Sequence, residues 1–176
     1  MNDTLLSRNP AIALGLCGFV GAIANILITM ANIEILIYAF GFAFGAILAG
    51  YLVVAKNLSW SRAGAIVLTF GFSWIAAFYF ALVLYDSFND VTGGIAILSM
   101  LAGGLGAIIV AIGFSVAYPK YRSLKPIAIT VIVGTLAGLA LMIDLEKADS
   151  EFMEVVWFIW QTAVGASLGW DRKVFE

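Results

Sequence analysis

The chain contains no histidine, a single cysteine and three prolines, and only 11% of its 176 residues are charged. Each shortage removes a class of function. There is no carboxylate or cysteine cluster inside the apolar stretches either, so no ligand set exists for haem, chlorophyll or zinc. The usual general base of an enzyme is also missing, and neither a cofactor nor catalysis is expected. Cys17 has no intrachain disulfide partner and reads as small apolar filler. Soluble domains carry about 25% charged residues. At 63% hydrophobic and 11% charged, this chain does not fold as a water-soluble globule. A cleavable leader is not expected: Met1 to Asn9 is short and polar, and the first apolar run is too long for a signal core and lacks a small-residue cleavage site behind it.

What the chain has instead is six long apolar runs, at 11–31, 33–55, 63–85, 92–117, 126–143 and 153–170. About 20 apolar residues let a helix cross the hydrocarbon layer. The expected fold is an all-α integral membrane protein, a single domain over residues 1–176 built from six transmembrane helices. The lipid bilayer is its first partner, and no nucleic-acid partner is expected. Every Lys and Arg lies outside the runs. If all six runs cross, eight of the nine fall on one side: Arg8, Lys56, Arg62, Lys120, Arg122, Lys125, Arg172 and Lys173. The other side holds Lys147 with Glu34, Asp86, Asp90, Asp144, Glu146, Asp149, Glu151 and Glu154. Basic loops stay cytoplasmic, which predicts that both termini face the cytoplasm.

Local chemistry marks the helix ends. Asn9 is a candidate N-cap before Pro10, and Pro126 opens a later helix, where a missing N–H costs nothing. Asn57-Leu58-Ser59 and Pro119-Lys120-Tyr121 interrupt the apolar pattern. Trp60, Trp170, Tyr85, Tyr118 and Tyr121 read as interfacial anchors.

Glycine is the strongest internal pattern. Gly15, Gly18 and Gly21 form a stripe, and Gly41/Gly45, Gly134/Gly138 and Gly165/Gly169 are G-x-x-x-G pairs. Gly103, Gly104 and Gly106 crowd the fourth run. Helices in lipid associate by close van der Waals approach, so these faces predict a tightly packed bundle, with enough contact surface to suggest an oligomer. No Asp, Glu, Lys or Arg sits at the centre of a run, which argues against a titrating relay at mid-membrane. The polar groups left inside are Asn25, Thr69, Ser73, Ser99, Thr130, Thr135, Gln161, Thr162 and Ser167. Each Ser or Thr is open to bonding a carbonyl one turn back. Asn25 and Gln161 stand equally open to an interhelical or a pore-facing role. A conduit with these walls selects by diameter and dewetting.

The stretch Asn9-Pro10-Ala11-Ile12-Ala13-Leu14-Gly15-Leu16, followed by Gly18-Phe19, resembles the N-P-A-P-L-G-L-x-G-F signature of the acetate uptake transporter family, the succinate–acetate permeases. Ala49-Gly50 before a short basic loop, Phe70-Gly71-Phe72-Ser73-Trp74 against a Y-G-S-F-W stretch, and Gly165-Ala166-Ser167 against G-A-S follow in the same order. Ile12-Ala13 stands where the family has a second proline, and Phe70 where it has tyrosine. The resemblance implies a ring-shaped hexamer of six-helix protomers in a prokaryotic cytoplasmic membrane, each with its own pathway for small monocarboxylates such as acetate, with succinate a further candidate. It places a constriction at Phe19, Phe70 and Ile129, with Trp74 beside it and its indole N–H open to a carboxylate oxygen. Ser73 and Asn25 complete the expected pathway, and Asn9, Pro10, Gly15 and Gly18 are the signature residues.

Two other readings are open to the same residues. One is a non-transporting membrane scaffold or accessory subunit. The other is a channel for another small solute or a cation, concentrated by the acidic loops.

Overall fold

The computed structural model of the chain describes residues 9–30, 40–146 and 156–175. These residues form helices joined by short turns, with no strand among them. The first helix, α1 (Pro10–Met30), begins as its sequence prescribes. The Asn9 Oδ1 accepts the Ile12 N–H at 3.3 Å, and the Asn9 carbonyl accepts that of Ala13 at 3.1 Å. Pro10 fills the first helical position, whose N–H has no intrahelical acceptor in any helix.

Helix α2 (Phe40–Lys56) ends at Asn57, which takes the left-handed conformation (φ 51°) that asparagine tolerates better than most residues. The Leu58 N–H then turns back onto the Leu52 carbonyl at 3.3 Å. Helix α3 (Trp60–Asn89) has 30 residues, about 45 Å at 1.5 Å each, and so outruns a hydrocarbon layer of about 30 Å. Gly93 at φ 73° makes the tight turn into α4 (Gly94–Ala117), a conformation open to glycine at little cost. A 3₁₀ turn, Pro119–Arg122, leads to α5 (Leu124–Gly138) and, after a turn at Leu139, to α6 (Ala140–Glu146). The last segment opens with a π-helical turn, Trp157–Gln161, continues as α7 (Thr162–Leu168) and closes with a 3₁₀ turn, Arg172–Val174.

Four helical stretches are long and apolar enough to cross a membrane: Pro10–Ile28, Trp60–Asn89, Gly94–Ala117 and Leu124–Ile143, the last running through the Leu139 turn. Phe40–Lys56 is apolar but has only 17 residues. The elements differ from the expected runs in three ways. The fifth run divides after Gly138, where a glycine flanked by close-packed backbone lets the helix bend. Pro126 lies within the first turn of α5 and is not its first residue. The sixth run carries a π turn that apolar periodicity does not signal. Arg8, Glu34, Lys147, Asp149, Glu151 and Glu154 lie outside the described residues.

Helices α1 to α5 each pack on the next, α5 also packs on α7, and α7 returns to α1, which closes a ring. Glycines set the spacing at nearly every seam. A Cβ on Gly103 would stand 2.5 Å from the Gly134 carbonyl oxygen and 2.6 Å from the Gly138 Cα, so α4 and α5 touch backbone to backbone. A Cβ on Gly45 would stand 2.9 Å from the Val67 Cα of α3, and one on Gly18 would collide with the Gln161 carbonyl. The glycine faces are thus used between helices of one chain. Gly50 and Gly64 are different: both are exposed, with nothing within 4 Å of a Cβ built there.

The connections carrying Lys56, Arg62, Lys120, Arg122 and Lys173 gather at one end of the bundle. There the Lys56 ammonium donates to the Phe175 carbonyl, and the Phe175 ring packs on Phe114 and Tyr118.

Candidate functional site

From the basic end toward the opposite one, the interior of the ring has three levels. Nearest the basic end is a buried polar cluster. The Tyr121 hydroxyl donates to the Pro126 carbonyl at 3.1 Å and also pairs with Thr130 Oγ1. Ser167 Oγ lies 3.0 Å from the same threonine oxygen and 2.7 Å from the Val164 carbonyl. Tyr121 is therefore not the interfacial anchor its position suggested. It is wholly buried against Phe114, because the 3₁₀ turn rolls its ring inward. Burial pushes its hydroxyl pKa up to about 12, against a lowering contribution from the bond to Thr130. Burial does the same for Tyr118, also to about 12, against the opposing charge of Arg62. Both phenols stay neutral at physiological pH.

The middle level is an apolar plug. Leu14, Phe44, Leu48, Ile66, Phe70, Val110 and Val164 are buried to 1% exposure or less and belong to one contiguous cluster. Phe70 meets Phe44 edge to face, with ring centroids 4.9 Å apart. Cys17 belongs to this cluster as a free, buried side chain, which agrees with its reading as filler.

Beyond the plug, between α3, α4 and the α5–α6 bend, lies a cavity of about 70 Å³ lined by Ser73, Trp74, Phe78, Ser99, Ala102 and Trp160, among others. Its wall is almost wholly apolar. Ser73 Oγ is spent on the Phe70 carbonyl at 2.8 Å, and Trp160 Nε1 on the Gly103 carbonyl at 3.2 Å. Ser99 is fully buried, and its Oγ has no hydrogen-bond partner among the described residues.

The expected pathway residues are only partly brought together. Ser73 and Trp74 both line the cavity, and Phe70 sits in the plug one turn away on α3. Phe19 is 44% exposed. It lines an outer groove between α1 and α7 with Ala11, Ile12, Gly15 and Thr162. Its ring meets Phe158 at 5.4 Å, and no ring contact joins it to Phe70. Ile129 is half-buried on α5, next to the buried Thr130. Asn25 is fully buried on α1, one turn beyond Gly21, against which the Gln161 side-chain oxygen lies. Of the signature residues, Asn9 caps α1 and Pro10 opens it, while Gly15 and Gly18 seat it on the last segment.

Sequence reasoning singled out neither Ser99 nor Trp160 for the site. Ser99 was one of several neutral hydroxyls, and the signal that separates it from them is tertiary. Thr69, Ser73 and Ser167 do bond carbonyls three or four residues back, as helical hydroxyls commonly do, while Ser99 and Thr162 do not. Trp160 belonged to an aromatic-rich stretch, Trp157-Phe158-Ile159-Trp160, whose density was the only available hint.

Among the described residues there is no group of His, Cys, Asp or Glu able to hold a metal ion. The cavity can therefore hold a small molecule by shape and a few neutral dipoles. No family model matches the chain, and no match was found among curated proteins or solved structures.

Proposed function

We propose that the chain is a membrane permease or channel for small monocarboxylates of the acetate class, taken through the bundle as the neutral acid. Under this reading all six apolar runs cross a prokaryotic cytoplasmic membrane with both termini inside, and the basic end of the bundle faces the cytoplasm. Protomers assemble as a ring-shaped hexamer, as the resemblance to the acetate uptake transporters implies.

The observation that carries the reading is the cavity of about 70 Å³ set against the Phe70 plug, with no ionisable Asp, Glu, Lys or Arg lining either among the described residues. Two of the expected pathway residues, Ser73 and Trp74, line it. A carboxylate has no cation to meet there, and moving a bare charge into such surroundings is far more costly than moving a neutral acid that satisfies one or two hydrogen bonds. The plug then acts as the gate: it is dry and closed at rest, and side-chain movement at Phe70 opens it. The Tyr121–Thr130–Ser167 cluster receives the solute on the basic side with neutral hydroxyls.

Uptake of labelled acetate into liposomes carrying the purified protein tests the proposal. Protein-dependent uptake is expected above that of empty vesicles and several-fold faster at pH 5 than at pH 7. Uptake equal to that of empty vesicles at both values overturns it.

A further inference from the structure

We infer that residues 169–175 form a reversible cap over the basic end of the ring, a second gate in series with the Phe70 plug, closed by the Phe175 ring and latched by Lys56. Its purpose as a gate rests on the permease reading, while its opening is a motion that can be read without flux.

The strap is seated at its start and folded on itself. A Cβ on Gly169, where the chain leaves α7, would collide with the Pro10 carbonyl, so the strap begins hard against the first turn of α1. The Trp170 N–H is donated to the Ser167 carbonyl at 3.2 Å, and the Val174 N–H to the Asp171 carbonyl at 3.1 Å. The Asp171 carboxylate accepts the Lys173 N–H at 3.1 Å. This compact turn leaves Trp170 and Lys173 exposed and sends Val174 and Phe175 inward, where each is only 6% exposed.

The inner face of the strap meets several elements around the end of the ring. The Phe175 ring lies 6.2 Å from that of Phe114 and 5.3 Å from that of Tyr118, at the end of α4. Phe114 in turn meets Tyr121 at 5.0 Å, so one aromatic ring separates the strap from the Tyr121–Thr130–Ser167 cluster. Those three polar residues stand nearest the basic end, yet none is more than 3% exposed. Lys56 lies in the last turn of α2, where a lysine commonly bonds the open carbonyls of its own helix. Here it reaches across to the Phe175 carbonyl.

Reversibility follows from how the strap is held. Its backbone hydrogen bonds run within itself and onto the end of α7, so they survive its lifting. Lifting breaks the Lys56 bond and the Phe175 ring contacts. Segments held by few contacts open before the rest of a fold, and lids are drawn from them.

Thiol exposure tests the opening, in the full chain in detergent carrying Cys17→Ala and Ser167→Cys, with a small water-soluble methanethiosulfonate reagent. Labelling of this parent is expected to be slow. Phe175→Ala and Lys56→Met, introduced separately, should each speed it about tenfold, because the rate follows the population of the open form and each variant removes a contact that favours closure. A second reporter, Ser99→Cys in place of Ser167→Cys, lies beyond the plug and should label at an unchanged rate. Equal labelling of Ser167→Cys in the parent and both variants overturns the cap, and so does equal acceleration at Ser99→Cys. If Phe175→Ala fails to fold, Lys56→Met decides alone. In liposomes, both variants should raise acetate flux several-fold in a Phe70→Ala background, where the plug no longer limits passage. Faster labelling with flux unchanged by the variants removes the gate. Faster labelling with no flux in any chain leaves the cap and removes the permease.

Discussion

Single side chains decide what the interior of this bundle tolerates. Tyr121 places a hydroxyl among Pro126, Thr130 and Ser167, where two hydrogen bonds offset its burial. Replacing it by phenylalanine leaves Thr130 and the Pro126 carbonyl short of a partner, and thermal unfolding in detergent should show a loss of about 1–2 kcal/mol. Its pKa also makes it an alkaline sensor. The neutral phenol is favoured by folding, so its contribution is fully present below about pH 10, where the unfolded chain titrates, and is lost as pH rises toward about 12. Unfolding midpoints measured from pH 9 to 12 should fall across that window, and Tyr121→Phe should fall less steeply. The sequence could not have shown this. Tyr121 stands beside Pro119 and Lys120, the company of an interfacial anchor, and only the 3₁₀ turn buries it.

At the scale of elements, glycines separate two kinds of helix surface. Gly103→Ala forces a methyl group against the Gly134 carbonyl oxygen and the Gly138 Cα, so α4 and α5 must part. A cost of about 1–3 kcal/mol is expected in the same unfolding assay. Gly50→Ala and Gly64→Ala place their methyl groups in open space and should be neutral, or stabilise by up to about 1 kcal/mol through helix propensity. A loss at either position would instead mark a face covered by another copy.

The plug is an element-level device as well. Phe70→Ala removes the ring that meets Phe44 and should raise acetate flux several-fold in liposomes. Flux unchanged from wild type would reduce Phe70 to packing. Phe19→Ala, on the outer groove, should leave single-protomer flux as it is.

The glycine spacing predicted which faces touch, because close approach in lipid requires small residues. It did not predict which helix each face would meet. Gly165 and Gly169 press on α1 at Leu14 and Pro10, a pairing between the two extremes of the chain that no local pattern encodes. The break after Gly138 and the π turn at Trp157–Gln161 were equally hidden, since both follow from how neighbouring backbones fit.

For the whole molecule, the proposed topology is directly testable. In a Cys17→Ala background, cysteines at Ser59 and Ser123 should react with a membrane-impermeant thiol reagent from the cytoplasmic side only. A cysteine at Thr92 should react from the opposite side only. Labelling of Ser59 and Thr92 from one side would refute the six-span arrangement. Particle symmetry in detergent tests the hexamer, for which the glycine faces no longer argue, since the bundle itself uses them.

By itself the sequence determined the class and the chemistry. Long apolar runs with charges confined to their ends leave a helical membrane protein as the solution, because every backbone polar group in lipid must be satisfied within its own segment. The same composition removed metals, cofactors and a titrating relay from expectation. Tertiary structure decided the site. Ser73, Trp74, Ser99 and Trp160 lie on three segments as much as 87 positions apart, and they share one cavity because glycine seams hold α4, α5 and the last segment at fixed distances. Whether a buried hydroxyl bonds its own helix depends on that packing, and so does the difference between Ser73 and Ser99.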